Sequence, residues 1–327
     1  MKAIFLSRNH ADLERVYGRE QREQMQKMLG FLPPEYNELP ECCPDTEYIF
    51  STWGMFEMTE DEIRRVFPAL KAVFYAAGSV QYFAKPFIDM GIKVYSAWQA
   101  NAVPVVQYAF GQILLALNGY YTVQAKCRNS RAESKELFAH YPGVYGEKVG
   151  LLGCGAIGSR LAVMLQNTDL EVLVYDPYLS DEQAEQLHVR KASLEEIFST
   201  CFVISNHVPN LPSTVGLIKR EHFFAMRPYA VFINTGRGPQ LTESDLYDAL
   251  TADPTRTALL DVMTDEGNSD TNPLNALSNC FITPHIAGSS GNEVRRMSDY
   301  MITALEAFEG GQACGYEVTQ KMLLTMA

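Results

Sequence analysis

Gly150-Leu151-Leu152-Gly153-Cys154-Gly155-Ala156-Ile157-Gly158 closes an apolar run that begins at Lys148 and opens into residues with helical spacing. The run reads as a β-strand, and the glycines as the turn that joins it to a helix. Each glycine of Gly153-x-Gly155-x-x-Gly158 meets a separate steric demand: a tight turn, a close approach of backbone to a pyrophosphate, and close packing of helix on strand. The helix then presents unpaired N–H groups and the positive end of its dipole to phosphate. Three glycines at this spacing also arise by chance, so context decides. The next strand, Glu171–Tyr175, runs into Asp176, about 20 residues past the loop, where a carboxylate accepts hydrogen bonds from the adenosine ribose hydroxyls. That carboxylate repels a 2′-phosphate, and Pro177-Tyr178-Leu179-Ser180 brings no Arg to receive one. The cofactor these residues imply is NAD, held at Gly153, Gly155, Ala156, Ile157, Gly158 and Asp176. Cys154 is read as a small filler in the loop rather than a redox sensor.

Outward from the loop, strands at 202–206, 230–234 and 258–262 continue an alternation with helices. On the N-terminal side, short β-rich runs fall at Ala3–Leu6, Tyr48–Ser51, Ala72–Tyr75 and Lys93–Ser96, with helical stretches at 60–67 and 80–90. Strand–helix units of this length predict parallel sheets with helices on their faces. The long apolar tract 102–121 is interrupted by Gln107, Gln112 and Asn118, and is read as a helix buried in protein, not a membrane span. Residues 128–146 read as a polar, hairpin-like stretch, and 291–310 as an amphipathic helix. The fold class is therefore α/β, with two Rossmann-like or flavodoxin-like domains on parallel sheets and an active-site cleft between them. An NAD-binding domain, 102–288, is inserted into a substrate-binding domain formed by 1–101 and 289–327.

The bulk properties narrow the function classes. A net charge of −12 over 327 residues argues against a nucleic-acid binder, which needs clustered Lys and Arg. It leaves small anionic ligands open, because they respond to a local field. Seven cysteines without a C-x-x-C pair suggest neither a disulfide framework nor a zinc ribbon, so no metal is expected and a reducing cytoplasm fits best. The first apolar run is too short for a signal peptide and reads as a strand.

Three later motifs carry chemistry. Asn234-Thr235-Gly236-Arg237-Gly238 follows one strand, Asp261-Val262-Met263-Thr264-Asp265-Glu266 the next, and Thr283-Pro284-His285-Ile286-Ala287-Gly288 the last. Ligand sites of such sheets lie outside the carboxyl ends of the strands. With these motifs, the glycine loop, the Tyr175-Asp176-Pro177-Tyr178 strand end and His207-Val208-Pro209, the chain resembles the D-isomer-specific 2-hydroxyacid dehydrogenase family, in order and spacing, from about residue 100 to 290. The amino-terminal part matches more loosely. The resemblance implies an NAD-dependent oxidoreductase that interconverts a 2-oxo acid and a D-2-hydroxy acid. Arg237 would hold the substrate and polarise its carbonyl with a planar charged fork. His285 would be the general acid and base. Glu266 would pair with its other ring nitrogen, fixing the tautomer and favouring the protonated form. Further cofactor contacts are expected at His207, Pro209, Thr235, Asp261 and Gly288, and a homodimer is expected on the long helix and the arm that follows. The competing reading is an NAD(H)-sensing, corepressor-like protein on the same fold. Its marks, a lost catalytic residue or a long partner-binding tail, are missing. Formate dehydrogenases, cousins of the family, usually carry Gln where this chain has Glu266.

Two departures concern the substrate. Many family members carry G-x-G-x-D-N-hydrophobic-D after the third strand, whereas this chain has Ala76-Ala77-Gly78-Ser79-Val80-Gln81-Tyr82, without the Asp. The backbone N–H groups of Gly78 and Ser79 can still bind a substrate carboxylate, and Trp53 is a candidate either for the roof of the pocket or for ordinary core packing. On the long helix, Pro104-Val105-Val106-Gln107 stands where relatives have Pro-Val-Ala-Glu, which removes a charge.

Overall fold

A computed structural model describes residues 2–324, so the terminal residues 1 and 325–327, counted above in the substrate-binding domain, lie outside the described residues. The chain divides into two compact units. Unit 1 runs to Ala102 and resumes at Ser289, and unit 2 is Val103–Gly288.

Unit 1 is built on β1 (Ala3–Leu6), β2 (Glu35–Tyr36), β3 (Tyr48–Ser51), β4 (Ala72–Tyr75) and β5 (Lys93–Ser96), parallel at every described pairing and ordered β2-β1-β3-β4-β5. Its central strands are buried along their whole length, which is why they read as unbroken apolar runs rather than as alternation. The two-residue period of a strand sends Phe5, Phe50 and Phe74 into one core and Ile4, Ile49 and Val73 into the other. Phe50, Phe74 and Tyr95 stack in a row at 5.1 Å between ring centres. The helix Glu293–Glu309 belongs to this unit. It buries Val294, Met297, Met301, Ile302 and Leu305, at the spacing of one helical face, against Phe5 and its neighbours.

Unit 2 carries β6 (Lys148–Leu152), β7 (Glu171–Tyr175), β8 (Arg190–Lys191), β9 (Val203–Asn206), β10 (Val231–Asn234), β11 (Thr257–Leu260) and β12 (Cys280–Ile282), ordered β12-β11-β10-β9-β6-β7-β8 and again parallel. The order reverses between β6 and β9, the crevice where such sheets bind ligands. The register aligns the strand ends: Leu152 pairs with Asn206 and Tyr175, Asn206 with Asn234, Asn234 with Leu260, and Leu260 with Ile282. Gly153, Asp176, His207, Thr235, Asp261 and Thr283 therefore each stand one residue beyond the sheet, along one edge.

Several elements differ from expectation. The apolar tract is two helices, Trp98–Leu117 and Tyr120–Cys127, broken at Gly119. Gly119 has φ of 63°, and a Cβ there would lie 2.4 Å from the Tyr141 ring. The first of these helices is the one segment among the described residues long and apolar enough to cross a membrane; half of it is buried, with Val106, Ala109, Ile113 and Leu117 in the unit 2 core. The hairpin-like stretch is instead a helix, Arg131–Phe138, because Ser130 caps it by accepting from the Glu133 N–H at 3.2 Å and the residues that follow are good helix formers. The expected helix at 80–90 contracts to Ala84–Asp89, and two short edge strands, β2 and β8, are additions.

Candidate active site

The glycine loop has the geometry its spacing implies. Gly153 sits at φ 90°, and a Cβ on it would lie 2.9 Å from the His207 carbonyl oxygen. A Cβ on Gly158 would lie 2.0 Å from the Gly153 carbonyl oxygen, so the helix Gly158–Leu165 starts directly on the turn. Gly155 is exposed, and a Cβ there would meet no atom within 4 Å. That open, backbone-only surface ahead of a helix N-terminus is a cradle for a pyrophosphate. Ala156 and Ile157, the next two residues, are half-buried.

Asp176 leaves β7 and folds back over the loop. Its Oδ2 accepts from the Cys154 N–H at 2.7 Å and its Oδ1 from the Tyr178 N–H at 2.8 Å. The carboxylate is thereby fixed at the edge of the cradle, with lone pairs left for a ribose. Burial, then the Asp176 charge, pushes the Cys154 thiol up to about 11, so it stays a neutral thiol at physiological pH, consistent with a filler.

His207 points inward. Its Nε2 pairs with Ser205 Oγ at 2.9 Å and its Nδ1 with Thr235 Oγ1 at 3.1 Å, and burial drives its pKa down to about 3. It is a neutral structural imidazole whose backbone, not its ring, closes over Gly153. Pro209 is half-buried, and its carbonyl accepts from Thr214 Oγ1 at 2.7 Å.

Arg237 follows β10 in extended conformation, with its Nη1 donating to the Gly236 carbonyl at 2.8 Å. Burial pulls its pKa down from the usual arginine value, and the Glu266 charge opposes that shift. An arginine remains protonated regardless, so the side chain is a permanent cation with restricted hydration. Gly238 lets the chain pass against the next loop, since a Cβ there would fall 2.1 Å from the Met263 carbonyl carbon.

His285 and Glu266 meet: Nδ1 and Oε2 are 3.1 Å apart, and both side chains are close to half exposed. His285 has φ of 54°, a left-handed conformation that costs a residue with a side chain roughly 1–2 kcal/mol. Asp261 sustains it. This buried carboxylate accepts from Thr283 Oγ1 at 2.5 Å and from the Ile286 and Ala287 N–H groups at 2.8 Å each, while its carbonyl takes the His285 N–H at 3.0 Å. Hydrogen bonds to a charged group contribute about 1.5–3 kcal/mol each, so three of them outweigh the strain. Tyr108 steadies Thr283 from the long helix at 3.2 Å. Asp261, expected at the cofactor, thus uses both carboxylate oxygens to hold the loop that carries His285. Gly288, half-buried, ends that loop.

In unit 1, Gly78 and Ser79 are half-buried beyond β4, and Ser96 Oγ donates to the Gly78 carbonyl at 2.6 Å. Trp53 is half-buried, packs against both cores, and has the Arg15 guanidinium 5.4 Å from its ring centre. The other histidines stand apart: His222 caps a turn by accepting from the Lys219 N–H at 3.0 Å, and His140 stacks on Tyr229. Among the described residues no cluster of His, Cys, Asp and Glu suits a metal. Missed by sequence reasoning were Asn206 and Gln240, which bind each other and the neighbouring loops at the end of β9 and β10. The parallel endings Phe202-Val203-Ile204-Ser205-Asn206 and Val231-Phe232-Ile233-Asn234 carried a signal for the first.

Comparison with known proteins agrees with this geometry. Residues 110–287, more than half of the 327, match the family model described as D-isomer specific 2-hydroxyacid dehydrogenase, NAD binding domain. A D-3-phosphoglycerate dehydrogenase of Archaeoglobus fulgidus is 32% identical over 200 residues, 61% of this chain and 38% of that protein. A hydroxypyruvate reductase of Blautia hydrogenotrophica is 34% identical over 166 residues, 51% of each. The chain thus spans about half or less of the length of these curated relatives. Among solved structures, D-mandelate dehydrogenase of Rhodotorula graminis superimposes with a TM-score of 0.78 at 19% identity, covering 98% of both chains. A D-lactate dehydrogenase of Treponema pallidum gives 0.71 at 21%, covering 98% of this chain and 100% of that one. At such identities the likeness shows the fold alone.

Proposed function

We propose, because the chain belongs to the D-isomer-specific 2-hydroxyacid dehydrogenase family, that it interconverts a 2-oxo acid and a D-2-hydroxy acid with NAD(H). The observation that carries this reading is the His285–Glu266 pair, at 3.1 Å, on a sheet edge that also bears Arg237 and the dinucleotide loop.

The residues present suit the cofactor: Gly155 leaves open backbone for the pyrophosphate, and Asp176 sets a fixed carboxylate for the ribose. When bound, the dihydronicotinamide supplies a hydride to C2 of the oxo acid while the carbonyl π pair moves onto oxygen. Arg237 holds the substrate carboxylate and carbonyl with its fork and stabilises the negative charge that develops on that oxygen. Glu266 accepts from the Nδ1–H of His285, which leaves Nε2 to exchange protons with the substrate. His285 gives the Nε2 proton to the new alkoxide oxygen, and takes it back in the oxidative direction. For further substrate contacts we propose the N–H groups of Gly78 and Ser79, and Trp53. Family membership also supports a homodimer built on the long helix and the arm after it, where Leu115, Tyr120 and Phe138 are exposed, and the free cysteines support a reducing cytoplasm.

The test is NADH oxidation by the pure protein against a panel of 2-oxo acids, from glyoxylate, hydroxypyruvate and pyruvate to branched and aromatic members, with NADPH in parallel. NADH-dependent turnover of at least one acid is expected. NADH binding without turnover of any of them counts against the reading.

A further inference from the structure

A fully buried primary amide stands directly behind Arg237. Gln240 has no exposed surface, and nothing in the proton-transfer chemistry above uses it. Burying an amide is unfavourable unless its hydrogen bonds are remade inside the protein, and an aliphatic side chain of that size would carry no such cost. Here the bonds are remade in a specific way. Oε1 accepts from the Arg237 backbone N–H at 3.0 Å and from Asn206 Nδ2 at 2.6 Å. Nε2 donates to the Val208 carbonyl at 2.5 Å. Asn206 Nδ2 also donates to Asn234 Oδ1 at 2.9 Å, and that oxygen accepts from the Gly236 N–H at 3.0 Å. Asn206 Oδ1 accepts from the Val208 N–H at 3.2 Å.

Asn234 Nδ2 donates in turn to the Arg237 carbonyl at 3.4 Å, so three amide side chains bind the backbone on either side of the Arg237 Cα to the loop leaving β9. Gly236 belongs to the same arrangement: a Cβ there would lie 2.5 Å from Gln240 Oε1 and 2.9 Å from Asn206 Nδ2, so only glycine leaves room for the amides. We infer that Gln240, with Asn206 and Asn234, is a positioning residue for Arg237, fixing the backbone from which the guanidinium reaches the 2-oxo acid. This rests on the dehydrogenase reading for its kinetic consequence but not for its structural one. Displacing a substrate-holding fork by a fraction of an ångström weakens substrate binding and alignment while leaving the cofactor cradle intact.

The experiment compares wild type with Gln240→Met, which keeps the length of the side chain and removes both of its amide hydrogen-bonding groups. With a 2-oxo acid that the wild type turns over, Gln240→Met is expected to raise KM by about tenfold or more with a smaller fall in kcat. NADH affinity is expected to be unchanged. In an Arg237→Ala background Gln240→Met is expected to have little further effect, because no fork remains to be positioned. In protein labelled with 15N-arginine, the Arg237 backbone amide signal should shift in Gln240→Met while the other arginine signals stay. An unchanged KM, or an equal loss with and without the Arg237 side chain, overturns the inference. Should the wild type turn over no 2-oxo acid, the dehydrogenase reading fails separately, and an unmoved Arg237 amide signal is then what overturns the clamp. If Gln240→Met does not fold, Gly236→Ala, which drives a methyl into Gln240 Oε1, is read by the same measurements.

Discussion

The carboxyl ends of the two sheets are finished in different ways. In unit 1 they are closed by small neutral hydroxyls: Ser51 Oγ donates to the Leu6 carbonyl at 2.5 Å, Thr52 Oγ1 to Ala76 at 2.9 Å, and Ser96 Oγ to Gly78 at 2.6 Å. In unit 2 the same edge carries Asp176, Arg237, Asp261 and His285, each bonded to loop backbone, with Glu266 beside them. Both sheets are parallel and buried on both faces, so the scaffold does not separate them. The chemistry of the first residues past each strand does. A strand end closed by its own hydroxyls offers a ligand backbone groups and neutral side chains but no charge. One that orients charges through backbone N–H groups holds them ready for it, at little reorganisation cost.

Perturbing the two edges should therefore have unequal consequences. The largest is expected from His285→Ala, which removes the proposed proton donor: turnover should fall by about 10³-fold while NADH titration gives an unchanged Kd. Loss of NADH binding in that variant would mean the residue supports the cradle instead.

Next comes His207, whose burial sets its pKa near 3 against an ordinary value of 6.5. The unfolded chain takes up a proton that the native state refuses, so the stability this group contributes is complete above pH 6.5 and is lost as pH falls from there towards 3. The slope in that window is about 1.4 kcal/mol per pH unit. Urea midpoints at pH 7.5 and 5 should drop further for wild type than for His207→Gln, and equal drops would place the acid sensitivity elsewhere.

Asp176→Ala ranks third. Preference for NADH over NADPH should weaken by about tenfold, the worth of roughly 1.4 kcal/mol, measured as the ratio of kcat/KM values. An unchanged ratio would leave Asp176 as only a brace for the Cys154 and Tyr178 N–H groups. The smallest effect belongs to unit 1: Thr52→Val forfeits one buried hydrogen bond, and should lower unfolding stability by about 1 kcal/mol with no change in NADH affinity. A change in affinity would erase the distinction between the two edges.

What could be read from the sequence follows the same division. Strands whose side chains are mostly buried show as apolar runs, and β1, β3, β4, β5, β6 and β7 have the bounds their runs imply. The two-residue strands β2 and β8 lie at sheet edges, half-buried or exposed, and leave no such run. The helix Arg131–Phe138 is polar on most of its surface, so periodicity gives little sign of it, although Ser130 and Glu133 were a readable cap. In the site, ionisable residues after strands announce themselves, which is how Arg237, Glu266 and His285 become candidates. Amides do not. Gln240 has no motif of its own, and its meaning comes from Asn206, Val208 and Arg237 converging on it in space. Asp261 was legible as a strand-end acid, but not its bonds to Thr283, Ile286 and Ala287, because those depend on β12 lying beside β11.

The central claim is hydride transfer to a 2-oxo acid by a site built on Arg237, Glu266 and His285. The most direct test incubates the protein with NADH deuterated at both C4 positions and an accepted 2-oxo acid, then analyses the product by mass spectrometry. The account predicts one deuterium at C2 of a D-2-hydroxy acid, formed by wild type and not by His285→Ala. NADH oxidation that leaves no deuterium in the organic acid, or that proceeds equally without His285, would contradict it.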